Sequence, residues 1–178
     1  MSIMLATIRR TSLSVAVLAL VAACASTDAP RSGAGPTPLA EVLALEAAGT
    51  GTERLIELAR IGDDLTRERA LLALGRTDAP RAGTDSALDA LLAGLDDAVP
   101  GVRGAALVSL AQRGLAARET ALEPDERLEA AIVRALQDPE AALRALAVDA
   151  AGAWGSERLR DEVLLALTDA DSRVRGRA

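Results

Sequence analysis

The residues of this chain that could do chemistry are few in kind. All 20 basic residues are Arg, set against 26 Asp and Glu, and His, Lys and Tyr do not occur. Without His there is no Ser-His-Asp or Cys-His relay and no His-ligated metal. Without Lys there is no Walker A lysine and no amine for a Schiff base. What remains is one thiol, Cys24, several pairs of carboxylates, one indole, Trp154, and Arg residues at a recurring spacing. A thiol can attack or be acylated, paired carboxylates can move protons or hold calcium, and an Arg fork binds carboxylate or phosphate.

Cys24 stands at the end of a leader. Residues 1–11 carry Arg9 and Arg10 and no acid, and Leu13–Ala23 is an apolar run broken only by Ser14. That is the length of a signal-peptide core and too short to span a bilayer. The run closes on small residues directly before the only cysteine. Leu20-Val21-Ala22-Ala23-Cys24 resembles the lipobox of bacterial lipoprotein signal peptides. The resemblance implies cleavage between Ala23 and Cys24, a thioether-linked diacylglycerol on Cys24, and a mature chain starting there. Ala25, rather than Asp, follows the cysteine, which by the same resemblance points to the outer membrane, facing the periplasm. Two or more acyl chains, at about 0.8 kcal/mol per buried CH₂, hold a protein on a membrane stably. Loss of Arg9 and Arg10 leaves 18 Arg against 26 acids, a net charge of −8. That balance disfavours nucleic acid and offers no polybasic patch to anionic lipid.

The carboxylate pairs Asp63-Asp64 and Asp96-Asp97, and the Asp169-Ala170-Asp171 triplet, all fall at breaks between helical segments. Those breaks are too short for a calcium loop, so helix capping and solvation are the expected roles and no metal or cofactor is expected. A glycosidase is disfavoured as well, because Trp154 is the only aromatic platform available for a sugar.

The elements that position these groups are helices. The chain holds 40 Ala and 29 Leu and almost no aromatic residue, a composition for packed helices and not for sheet. Residues 24–37, rich in Pro, Gly and Ser, read as a flexible tether. From residue 38 on, capping residues and glycines mark helices over Pro38–Ala48, Thr52–Ile61, Leu65–Arg76, Asp85–Leu95, Pro100–Arg113, Pro124–Gln137, Pro139–Trp154 and Glu157–Leu167, with a last fragment from Asp171. Gly114 reads as the stop of the fifth. Leu115–Glu123 then reads as an insertion, either a binding loop or a helical extension. Trp154 is expected to fill the space between repeats, or alternatively to anchor an interface.

A frame recurs through these helices. Asp97 precedes Arg103 by six residues, as Asp138 precedes Arg144 and Asp169 precedes Arg175. Each Arg follows an aliphatic residue (Val102, Leu143, Val174) and is followed three positions on by Ala106, Ala147 or Ala178. Leu95, Leu136 and Leu167 stand two before each Asp. Arg67, Ala70 and Leu74 fit a looser first copy in which Ile61 replaces the Asp. The pattern resembles the short HEAT-like repeats of the PBS-lyase type, D-x-x-x-x-V-R-x-x-A, over about residues 52–178. The resemblance implies an all-α, α/α solenoid of about four helical hairpins, in which each Asp and Arg belongs to a ladder running between units. A solenoid requires terminal units that cover its open edge, and the last helix lacks one; the alternatives are a fragment of a longer protein, truncated at its C-terminus, an edge covered by a partner, and a frayed final helix.

The expected organisation is therefore a signal peptide over 1–23, a tether over 24–37 and a repeat domain over 38–178. The expected function is a lipid-anchored scaffold of the cell envelope that binds a protein partner by surface recognition and carries no enzyme activity. The alternatives are the accessory repeat portion of a larger envelope enzyme or bilin-lyase-like protein, and a structural spacer of the envelope.

Overall fold

Helix boundaries follow local chemistry at nearly every break. In the computed structural model, which describes residues 36–77, 86–120 and 124–178, α1 spans Pro38–Ala48. The Thr37 hydroxyl caps its start by accepting from the Ala40 N–H at 3.3 Å, and Gly49 ends it with φ 64°, a backbone state that favours glycine. The helices that follow are α2 (Thr52–Ile61), α3 (Asp64–Leu74), α4 (Ser86–Gly94), α5 (Pro100–Glu119), α6 (Glu126–Ala135), α7 (Ala141–Trp154), α8 (Glu157–Ala166) and α9 (Ser172–Arg175). Asp63, Asp125 and Ser156 cap α3, α6 and α8 by accepting the backbone N–H three residues on. Among the described residues there is no strand, and no helix is long and apolar enough to cross a membrane. The leader, Cys24 and most of the tether lie outside the described residues.

The helices pair as hairpins α2–α3, α4–α5 and α6–α7, α8 and α9 both pack on α7, and the units stack in two rows. In one row α3, α5, α7 and α9 pack in succession; in the other α2 lies against α4 and α6 against α8. The lone helix α1 packs chiefly on α3 and so covers the first end of the row. This is an all-α helical repeat fold. The frame explains the stacking. Ala70, Ala106 and Ala147, each three residues beyond its Arg, are fully buried. A methyl group at that place lets neighbouring helices of the row approach closely. The residue before each Arg is buried too: Thr66, Val102, Leu143 and Val174.

The structure revises one boundary substantially. Gly114 does not stop α5, which continues to Glu119. A Cβ at Gly114 would stand 2.9 Å from Cδ1 of Trp154 and 3.0 Å from the Ala153 carbonyl carbon. The glycine is a notch for the next repeat, not a cap. Of the Leu115–Glu123 insertion, residues 115–119 are helix, and Arg118 donates from Nη2 to the Gly152 carbonyl at 2.6 Å. That segment is a helical extension packed on the following unit, while residues 121–123 lie outside the described residues.

Candidate functional site

The Arg and Asp of the frame meet between units. Arg103 donates from Nε to Oδ2 of Asp138 at 2.8 Å and from Nη2 to Oδ1 at 3.3 Å, across 35 residues of sequence. Its Nη1 turns back to the carbonyls of Asp97 (3.0 Å) and Ala98 (3.3 Å) in its own turn. Arg144 repeats the arrangement on Asp169, at 2.8 and 2.9 Å, and on the carbonyls of Asp138 and Pro139. Arg67 repeats it on Asp97, at 2.9 and 3.1 Å, and on the Gly62 carbonyl. The loose first copy is thus a full member of the ladder. Ile61 can stand in place of the Asp there because the preceding helix, α1, carries no Arg to meet a carboxylate.

Each ladder Asp has a second task. Asp97, Asp138 and Asp169 accept from the N–H two residues on (Val99, Glu140 and Asp171) at 2.8–2.9 Å. The bond closes the turn before the next helix rather than capping the helix itself. Pro139 accordingly lies outside α7, whose cap is Glu140, although the Asp138-Pro139 pair reads as a helix start. The pairs are half-buried: side-chain exposure is 15% for Arg103 and 10% for Asp138. Charge-assisted forks in such surroundings are stronger than neutral bonds and fix geometry as well.

The titration behaviour follows from these contacts. The hydrogen bond from Arg144, then the Asp171 N–H, hold Asp169 below the usual carboxylate range. For Asp97 burial is the largest single influence and pushes upward. The Arg67 fork, the Val99 N–H and the charges of Arg67 and Arg103 together outweigh it, and the net shift is downward. Asp171, which caps α9 and holds the Arg173 side chain, is lowered to about 2 by that side chain and the Arg173 N–H.

The remaining carboxylates of the turns are also engaged. Asp63 caps α3, Asp64 pairs with Arg67 at 3.1 Å, and exposed Asp96 stands 3.9 Å from Arg134. Among the described residues no group of three or more His, Cys, Asp and Glu is placed to hold a metal.

Trp154 lies in the interior, only 6% exposed, with Nε1 donating to the Leu110 carbonyl at 2.9 Å. Its ring fills the notch at Gly114, so it wedges α5 against α7 and offers no free face to a partner. That geometry corrects its reading as an interface anchor.

Several ties have no counterpart in the sequence pattern. Arg54 holds Glu41 through a two-bond fork at 2.8 and 2.9 Å. Glu46 takes both Arg69, at 2.5 Å, and Arg76. These pairs lock α1 to the first hairpin. Buried Ser109 donates to the Leu71 carbonyl at 2.9 Å, where Gly75 leaves room for it. In an Arg- and Glu-rich chain such partners cannot be distinguished by spacing alone.

Several large apolar side chains are accessible. Leu164, Leu165 and Leu167 are about half exposed or more, all on or just after α8, and Ile61 and Leu65 flank the first turn. A shallow cleft of about 500 Å³ opens between α7 and α9, lined by Ala142, Ala145, Leu146, Arg173, Gly176 and Arg177.

No family model matches the sequence, and no curated protein is similar to it. A crystal structure of the Escherichia coli protein YibA aligns with 97% of this chain and 75% of its own length, at 18% identity and a TM-score of 0.35.

Proposed function

We propose that this chain is a lipid-anchored interaction scaffold of a bacterial cell envelope. Acyl groups on Cys24 hold it to the outer membrane on the periplasmic side, residues 24–37 lift it off the surface, and a HEAT-like stack presents helix faces to a protein partner. The observation that carries the reading is the fate of the polar groups. The Arg and Asp that could have formed a reactive or anion-binding cluster are paired with each other from unit to unit. The surface they leave includes helix faces with exposed leucines, which suits recognition of a protein partner.

The test is crosslinking in cells followed by affinity purification of the lipidated protein from membranes, with partners identified by mass spectrometry. A single protein recovered in defined stoichiometry is the expected result. Recovery of the bait alone would refute the scaffold and leave a spacer as the better description.

A further inference from the structure

The helix nearest the tether turns all of its charge inward. Apart from Glu41 and Glu46, α1 carries no charged residue. Glu41 is tied to Arg54 on α2, and Glu46 to Arg69 on α3 and to Arg76 just beyond it. On the outer side Ala40, Leu43, Ala44, Ala47 and Ala48 are exposed, at helical spacings of three and four, with nothing ionised among them. The exposed residues of α2 and α6 include Glu53, Glu57 and Arg60, and Glu126, Arg127 and Arg134. A helix that is apolar all round is normally covered on every side, yet Leu43 is 46% exposed. One turn before it, Leu39 borders a shallow groove of about 200 Å³. Leu65 and Leu72 of α3 line the same groove with Glu68 and Arg69, and Leu65 is 66% exposed.

The place of this face in the chain names what covers it. At about 3.5 Å per residue, the segment from Cys24 to Pro36 reaches at most about 40 Å, and α1 follows at once. Acyl chains on Cys24 would therefore keep α1 at high effective concentration over the bilayer that holds them. We infer that the outer face of α1, together with Leu65, lies in the headgroup region of that bilayer. The lipid surface is its partner, and the far end of the stack is held out for a protein. An α-helix of 11 residues is about 16 Å long, too short to span a membrane and suited to lying in its interface. The net charge of −8 left after cleavage fits a zwitterionic surface and not an anionic one. The inference rests on the lipid-anchored reading and refines it: the tether bounds how far the domain swings out, and α1 brings it down.

The test couples the mature chain, residues 24–178, through its only thiol to a maleimide lipid in phosphatidylcholine vesicles. Hydroxyl-radical footprinting read by mass spectrometry then compares it with the same chain, thiol capped, in solution. Oxidation of Leu43 and Leu65 is expected to fall at least about threefold on the vesicles, as burial of this face in the interface requires. Leu115, Leu164 and Leu165, equally exposed but on α5 and α8, should keep their solution values. Leu43→Glu combined with Ala47→Glu, both at exposed positions and checked for folding by circular dichroism, should return Leu65 to its solution value. Unchanged oxidation of Leu43 and Leu65 on the vesicles would overturn the inference, and so would protection of Leu164 and Leu165 to the same degree. Continued protection of Leu65 in the double variant would overturn it as well, because crowding near the vesicle would then suffice. Since the maleimide supplies the anchor, a chain that is not acylated in cells would leave these readings unchanged. An α1 face that stays exposed on vesicles would equally leave acylation of Cys24 standing.

Discussion

Replacing Arg103 by Ala isolates one rung of the ladder. The side chain makes two bonds to the Asp138 carboxylate and two to carbonyls of its own turn, and the ion pair lies 10–15% exposed. Truncation leaves a half-buried carboxylate and two acceptors without this donor, a loss of about 1–3 kcal/mol. Water reaches the vacated site in part, which favours the middle of that range, about 2 kcal/mol. For a domain of this size each kcal/mol moves Tm by about 2–4 °C, so a drop of about 4–8 °C is expected. The control is internal. Arg175→Ala removes the same side chain from the same frame, but among the described residues it bonds only the Asp169 and Ala170 carbonyls, and the expected change is within about 0.5 kcal/mol. Thermal unfolding followed by circular dichroism, with Asp138→Ala and the double variant completing a cycle, measures the coupling directly. Equal melting of wild type and Arg103→Ala, or equal losses for Arg103→Ala and Arg175→Ala, would refute a ladder built on forks between units.

Two other perturbations follow from the packing and the charges. Gly114→Ala forces a methyl group against Trp154 and the Ala153 backbone and should destabilise by about 1–3 kcal/mol, whereas Gly152→Ala, which meets nothing within 4 Å, should be neutral or mildly stabilising. Chemical denaturation of both variants checks the contrast, and a stable Gly114→Ala protein would remove the notch from the description. Acid is the second. Asp97 and Asp169 are lowered in the folded state, so the stability they contribute is fully present above the ordinary carboxylate value, about 3.9. It is lost as pH falls through their lower folded values. Tm should hold between about pH 7 and 5 and fall below about pH 4, and that acid-linked fall should shrink in Asp97→Asn and Asp169→Asn. An unchanged acid limb in both variants would contradict the assignment.

The periodic part of this structure was legible because it is enforced periodically. An Asp six residues before an Arg recurs, and an Ala three residues after the Arg recurs with it, since every junction sets the same two conditions: a fork to anchor and a methyl to allow approach. Gly114 was not legible. A glycine near the expected end of a helix looks like a stop, and the residue that makes it a notch, Trp154, lies 40 positions on. Trp154 itself offered both an interior and an exterior role, and only the position of Leu110 and Gly114 decides between them. The ties of α1 to the first hairpin were hidden for another reason. Arg54, Arg69 and Arg76 are three among 20 identical cations, and nothing in spacing selects Glu41 or Glu46 for them. The turn bonds fall between these cases: the Asp was legible, but its acceptance from the second residue on, rather than from the helix N-terminus, depends on the path of the turn.

The proposed anchor on Cys24 is tested most directly by cell fractionation combined with metabolic labelling by an alkynyl fatty acid, comparing wild type with Cys24→Ser. The expected result is a labelled wild-type protein in the outer-membrane fraction. The Cys24→Ser protein should be unlabelled and released to the soluble fraction, and should no longer recover its partner from membranes. Unlabelled wild type, or Cys24→Ser still tightly bound to the membrane, would contradict a lipid-tethered scaffold.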